Sequence, residues 1–233
     1  MFSAPLRKKI QRTLPPALLL AAMLAVYASG VLHHIHLESL KLFQAQWQSW
    51  LNQNFVLGAC LFVVCYVVVV ALSLPIALMF TLLGGALFSS IWGALLDMVG
   101  ATLGAAGIFI IARTSFGEVL RRNAATFYAA AKKEMDANAI SYLLFIRLVP
   151  VFPFFLANII PALFPIPLRT FVLTTFIGIA PASFIYANIG ANLSQINQLS
   201  DILSTNTLLA FGLLGVLALV PVLVKKIRHQ IKG

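Results

Sequence analysis

Residues 145–166 read FIRLVPVFPFFLANIIPALFPI, long and apolar enough for one membrane-crossing helix of about 20 residues. The stretch nevertheless holds Arg147 near its start, Asn158 in its middle, and prolines at Pro150, Pro153, Pro161 and Pro165. Each proline inside a helix removes a backbone donor and clashes with the preceding turn, at a cost of roughly 3 kcal/mol. A straight span cannot absorb four of them. The segment is therefore expected to fold back on itself as a proline-broken hairpin over 141–166.

The composition identifies the solvent. With 61% hydrophobic and 9% charged residues in 233, the chain has more apolar surface than one soluble core buries, which leaves lipid as its partner. A net charge of +10 would suit nucleic acid in a soluble domain. Here the basic residues gather at the two ends and in one central segment, where they read as headgroup contacts and topology signals. Cys60 and Cys65 lie in an apolar run with no second pair nearby, so they suggest buried thiols, not a disulfide framework or a zinc site. His33, His34 and His36 sit beside Glu38, but only His33 and His36 are helix-face neighbours and no cysteine or carboxylate pair completes a metal site. No cofactor is expected.

Outward from the hairpin, the chain divides into 1–53 (basic segment, first span and loop), a core over 54–193, and 194–233 (loop, last span and basic tail). The first span, about 14–32, follows a basic flank like that of a signal sequence. It runs longer than a signal core of about 7–15 residues and is read as uncleaved. A second span is expected at about 54–72. From Ser73 to Ala112 the chain stays apolar, with Asp97 as its only charge, for about twice the length one helix needs. This stretch divides into a re-entrant hairpin over 73–92, entered at Pro75 and interrupted at Gly84 and Gly85, and a span over 92–112. Gly93, Gly100, Gly104 and Gly107 give that span a smooth face for close helix packing. Residues 113–139 are expected to form an amphipathic helix on the membrane surface, with Arg121, Arg122, Lys132 and Lys133 toward headgroups. Further spans follow at about 168–190 and 207–224.

The two broken stretches share an order of features. Pro75, Thr81 and GALF at 85–88 precede Gly100, and Pro150, Asn158 and PALF at 161–164 precede Gly178. Interrupted segments in corresponding halves point to inverted repeats with a site near mid-membrane. Non-helical backbone is tolerated at that depth only where protein buries it or water lines it, so a polar cavity between facing hairpins is expected. The fold class is all-α and polytopic, with about five full spans and two facing re-entrant hairpins.

RLVPVFPFFLAN, 147–158, resembles the R-L-x-P-x-x-P-x-x-x-x-N signature of VTT-domain proteins, the SNARE-associated Golgi protein branch of the DedA superfamily. The likeness extends through Leu74-Pro75, Gly84-Gly85, Phe88, Trp92-Gly93, Gly104-Ala105 and Arg113, and downstream through Phe171, Gly178, Pro181 and Gly190. Two positions depart from it: Pro161-Ala162 replaces a common glycine, and Ser89 stands where a glycine often follows the phenylalanine. The resemblance implies facing hairpins and movement of lipids or lipid-linked phosphates between leaflets. The DedA branch proper carries acids in its first hairpin that are thought to couple movement to protons. Residues 73–92 contain no Asp or Glu, and Asp97 alone stands near enough to substitute.

Arg147 is the leading candidate for substrate binding. A guanidinium in hydrocarbon costs roughly 2.5–3.5 kcal/mol on insertion scales, so an intramembrane arginine faces a cavity or a partner. Its planar fork suits a phosphate. The alternatives are snorkelling to the interface or pairing with Asp97. Asp97 reads equally as a cavity acid or a structural partner, and Asn158 as a headgroup donor or a partner for backbone freed by the prolines. Pro150 and Pro153 border the same site.

The expected function is that of a lipid flippase or scramblase whose partners are membrane lipids with phosphate-bearing headgroups. A coupled transporter of a small solute using Asp97 and a non-transporting membrane organiser are the alternatives. Six acidic residues scattered along the chain argue against a phosphoryl-transfer enzyme, which needs clustered acids or histidines. The absence of a Walker loop argues against ATP-driven pumping. Compact length suggests a bacterial inner membrane. The positive-inside rule conflicts with five spans, since both termini are basic and five spans place them on opposite sides.

Overall fold

The computed structural model describes residues 37–74, 76–123, 138–149 and 154–192, with isolated positions at 18, 21, 24–25, 28–29 and 219–220. The expected first and last spans lie largely outside the described residues. So do the histidine cluster, Pro75, Pro150, Pro153 and residues 124–137 of the expected surface helix. Six helices make up the described fold: α1 (Leu37–Gln53), α2 (Phe55–Ala71), α3 (Ala77–Asn123), α4 (Asn138–Leu148), α5 (Phe154–Ala162) and α6 (Leu168–Ala191).

The sequence of α2, FVLGACLFVVCYVVVVA, is rich in β-branched residues that resist helix formation in water. In lipid every backbone polar group must be satisfied within the segment, and the helix wins. Val56, Val64 and Val68 cover its outer face at 74%, 60% and 49% exposure, whereas Phe62, Tyr66, Val69 and Val70 are buried against α3. An outer face this apolar is a lipid-facing one. Two stretches, Ala77–Thr114 and Leu168–Ala191, are long and apolar enough to cross a membrane.

α3 is not one straight rod. Ser89 has φ 70° and ψ 170°, and beyond it the chain doubles back so closely that a Cβ on Gly93 would lie 2.6 Å from the Gly84 carbonyl carbon. In a straight helix those residues would be about 13 Å apart, at 1.5 Å per residue. The reversal therefore falls at Ser89, not at Gly84-Gly85 as the sequence suggests. Both glycines are helical and serve close approach instead: Gly84 makes room for the Asp97 side chain, and Gly85 meets the Ala187 backbone.

Beyond Ser89, α3 runs antiparallel to α6. Asn188 Nδ2 donates to Ser90 Oγ at 3.1 Å near one end, and Phe109 stacks on Phe171 at 4.2 Å near the other. Before Ser89, α3 meets the same helix backbone to backbone. A Cβ on Gly85 would lie 1.9 Å from the Ala187 carbonyl oxygen, and one on Gly190 would lie 2.0 Å from that of Leu82. This reciprocal notch is the small-residue packing that holds apolar helices together in lipid.

Two elements differ from the sequence reading. α1, LESLKLFQAQWQSWLNQ, is an amphipathic helix in what reads as a loop. The helix expected to begin at residue 113 is instead a continuation of α3, unbroken through Asn123.

Candidate functional site

The middle of α6 carries Thr175 and Gly178, one turn apart on one face. Arg147, near the end of α4, packs there: a Cβ on Gly178 would lie 2.6 Å from Arg147 Cβ. Glycine is what lets the arginine stem lie flat against the helix. Arg147 Nη2 then donates to Asn158 Oδ1 at 2.7 Å and to Thr175 Oγ1 at 3.0 Å. Asn158 is fully buried and Thr175 nearly so, at 0% and 1% exposure. Three helices thus converge on one guanidinium at mid-length of an apolar helix.

The first half of the fold repeats this arrangement with different side chains. Tyr66 of α2 packs against Gly100, where a Cβ would lie 2.8 Å from its ring, and its hydroxyl shares a 2.8 Å hydrogen bond with Thr81 Oγ1. Tyr66, Thr81 and Gly100 stand as Arg147, Asn158 and Gly178 do: a residue of the preceding helix, a polar residue of the folded-back segment, and a glycine of the following helix. Asp97 lies three residues before Gly100, as Thr175 lies three before Gly178.

Asp97 is fully buried, and neither carboxylate oxygen has a hydrogen-bond partner among the described residues. It rests against Gly84, where a Cβ would come within 2.6 Å of Oδ1. The register set by Ser90–Asn188 and Phe109–Phe171 puts Asp97 level with about residue 182 of α6. That is about seven residues, or ~10 Å, from Thr175. Asp97 and Arg147 therefore bracket the middle of α6 without a hydrogen bond between them, and the pairing weighed from sequence is not formed.

Arg113 holds the end of the second folded-back segment. Pro161 is fully buried in the last turn of α5, where it supplies no N–H, and the helix ends at Ala162. Arg113 donates from Nε to the Ala162 carbonyl at 3.4 Å and from Nη2 to the Phe164 carbonyl at 2.9 Å, and also to that of Ile166. At the matching place in the first half, Gln44 Nε2 of α1 donates to the Ala86 carbonyl at 3.0 Å. Both Ala-Leu-Phe tripeptides thus have their orphaned alanine carbonyl satisfied by a side chain from elsewhere. Arg113 also lies 4.3 Å over the Phe109 ring, and Arg147 lies 5.2 Å from the Phe171 ring. With the Phe109–Phe171 stack between them, the two arginines bracket one aromatic column.

Of the residues that the sequence singles out, Arg147 and Asn158 come together and Asp97 stands in the other half; Pro150 and Pro153 are outside the described residues. Tyr66 and Thr175 join the site without being singled out by sequence, and Arg113, named there only within the family likeness, joins it through the carbonyls it binds. Thr175 has its signal three positions before Gly178, as Asp97 stands three before Gly100, and Arg113 has one as a lone arginine at the end of an apolar run; Tyr66 has none.

A helical chain with polar side chains buried at mid-length of apolar helices, and hydrocarbon on its outer faces, is an integral membrane protein. Residues 74–192 match the VTT domain, just over half of the 233-residue chain. The chain belongs to the VTT-domain family. It is 27% identical over 192 residues to the transmembrane protein 41 homolog of Dictyostelium discoideum, covering 81% of this chain and 58% of that protein. It is 28% identical over 195 residues to an uncharacterized membrane protein of Arabidopsis thaliana, covering 82% and 65%. A transmembrane protein 41 homolog of Caenorhabditis elegans is 29% identical over 196 residues, covering 82% and 79%. The chain thus spans less than two thirds of the length of the first two relatives. All three are eukaryotic, and they support a membrane protein without supporting a bacterial inner membrane. No solved structure matches the chain.

Proposed function

We propose that this protein moves phospholipids, or lipid-linked phosphates, between membrane leaflets without enzymatic chemistry. The supporting observation is Arg147 at mid-length of α6, oriented by Asn158 and Thr175. A cation kept at that depth is costly unless it has a task. A phosphate is the feature shared by phospholipid headgroups and is matched by the guanidinium fork. In this reading the folded-back segments 73–92 and 141–166 are re-entrant hairpins approaching from opposite sides. Five full spans surround them, including 14–32 and 207–224. Parting of the two hairpins would open a polar path for a headgroup while the acyl chains stay in lipid. The matching Tyr66–Thr81–Gly100 and Arg147–Asn158–Gly178 arrangements support the inverted repeat this requires.

The test is reconstitution of the purified chain into liposomes carrying fluorescent phospholipids. Passage of label between leaflets without any gradient, lost in Arg147→Ala, is the expected result. Wild-type liposomes no faster than protein-free ones would end this reading. The buried Asp97 carboxylate favours one second reading, a proton- or ion-coupled carrier. There the same assay would respond to an imposed pH gradient, and Asp97→Asn would abolish the response.

A further inference from the structure

Two cavities of opposite character flank α1. One, about 290 Å³, is apolar and walled by Phe43, Trp47 and Trp50 of α1, Cys65 of α2, and Phe80 and Leu83 of α3. The other, about 420 Å³, is lined by Gln44, Gln48, Ser89 and Ala191, with no charged residue among the described residues of its wall. Leu87 borders both. On α1 the positions Phe43, Trp47 and Trp50 recur at helical spacing, with Gln44 and Gln48 on the adjacent face. One short helix therefore borders both a greasy compartment and a hydrogen-bonding one, which share Leu87 in their walls.

The rims say what each compartment meets. The apolar cleft is edged by Leu61 at 51% exposure and Trp47 at 43%, with Leu61 on the same helix as the lipid-facing valines. Phe43 stacks on Trp47 at 5.4 Å, and Trp47 meets Trp50 edge-on at 5.7 Å, an aromatic cluster of the kind found where hydrocarbon gives way to headgroups. In the polar compartment, Gln48 Oε1 is buried with no hydrogen-bond partner among the described residues, and Ser89 is exposed. A buried amide oxygen without a donor is costly, and a ligand hydroxyl or amine would satisfy it.

We infer that α1 holds one phospholipid, with an acyl chain in the apolar cleft and a hydroxyl- or amine-bearing headgroup against Gln48 and Ser89. The described wall is neutral and selects by hydrogen bonding, in contrast to the cationic Arg147. The register of α6 places the polar compartment, at Ala191, about 13 residues from Gly178, or ~20 Å along the helix. This is a second lipid site at one end of the fold, and it stands whether or not lipid is moved past Arg147.

The test uses the full chain in phosphatidylcholine liposomes with trace phosphatidylethanolamine carrying a diazirine on one acyl chain. After irradiation, adducts are mapped by mass spectrometry. Adducts concentrated on Cys65, Phe80 and Leu83, falling at least several-fold when Cys65→Trp or Leu61→Trp fills the cleft, are expected. Adducts spread evenly over the outer faces at Val56, Val64, Leu173 and Ile177, or indifferent to both fillings, overturn the site. For the headgroup, Gln48→Leu should lower labelling by the ethanolamine probe several-fold more than by a choline probe of the same chain. Equal labelling by the two probes overturns that assignment. Two alternative fillings, each checked for a monodisperse folded protein, keep the test decisive if one variant fails to fold.

Discussion

Arg147 reaches the buried amide oxygen of Asn158 at 2.7 Å, eleven residues along the chain and on the next described helix. The guanidinium is thus committed to its own half of the fold, with Thr175 as its second partner, and Asp97 takes no part in holding it. Hydrogen bonds to a charged group contribute about 1.5–3 kcal/mol each, and buried partners left behind cost a similar amount. Arg147→Ala should therefore lower the apparent melting temperature in detergent and abolish lipid movement. Arg147→Lys keeps the charge without the fork, and should insert normally while moving lipid more slowly. The double change Arg147→Ala with Asp97→Asn should restore neither property. Recovery of activity in the double variant would mean that Arg147 exists to neutralise Asp97.

Glycines that look alike in sequence should separate sharply on substitution. A Cβ at Gly85 or Gly190 would meet a backbone carbonyl oxygen at 1.9 or 2.0 Å, whereas one at Gly107 would find nothing within 4 Å among the described residues. Backbone cannot swing aside as a side-chain tip can. Gly85→Ala and Gly190→Ala should each cost about 1–3 kcal/mol or more through forced separation of α3 and α6. Gly107→Ala should be neutral or stabilising by up to about 1 kcal/mol from helix propensity. Thermal unfolding followed by tryptophan fluorescence would rank the three, and equal effects would refute the reciprocal notch.

Ser89 occupies backbone space that glycine alone enters freely, at φ 70° and ψ 170°. Strain of this kind costs on the order of 1–3 kcal/mol, against about 0.5–1 kcal/mol of extra chain entropy that glycine loses on folding. Relief of the strain therefore outweighs the lost entropy. Ser89→Gly should raise the apparent melting temperature, and Ser89→Val should lower it. A drop on glycine substitution would show that the serine side chain holds the turn.

How far the sequence carries this picture depends on which physical signal each element writes into it. The apolar runs behind α2 and α6 are legible to within a residue or two, because span length is a direct demand of the bilayer, whereas the second arm of α3 runs past the expected end at 112 to Asn123. Arg147 and Asn158 are legible because polar groups in hydrocarbon are expensive. The position of the first reversal is not: Gly84-Gly85 advertises flexibility, but helical glycines also serve contact, and only the approach of Asp97 and Ala187 reveals that use. α1 is hidden by its glutamines, which read as loop until Phe43, Trp47 and Trp50 are seen on one face. Arg113 reads as the first residue of a polar surface segment, and its role depends on carbonyls some fifty residues away in sequence.

The aromatic column offers the most direct check on how the second half holds together. Arg113 ties down the carbonyls of Ala162, Phe164 and Ile166, and sits over Phe109, whose partner Phe171 faces Arg147. Removing Arg113 would take this donor from three carbonyls at the end of α5, at about 1–3 kcal/mol for each that stays buried without another. Arg113→Ala should thus be among the most damaging changes in the chain, and Arg113→Lys only partly tolerated, since one ammonium cannot match the span of a guanidinium. Phe171→Leu is gentler: it keeps apolar volume and forfeits the stack and the cation–π contact, about 1–2 kcal/mol together. If the column links the two arginines, Phe171→Leu should expose the α5–α6 turn to faster hydrogen exchange and also weaken the hold on Arg147, lowering lipid movement in a folded protein. Loss of exchange protection confined to Arg113→Ala, with Phe171→Leu unchanged in both measurements, would show that each arginine works alone.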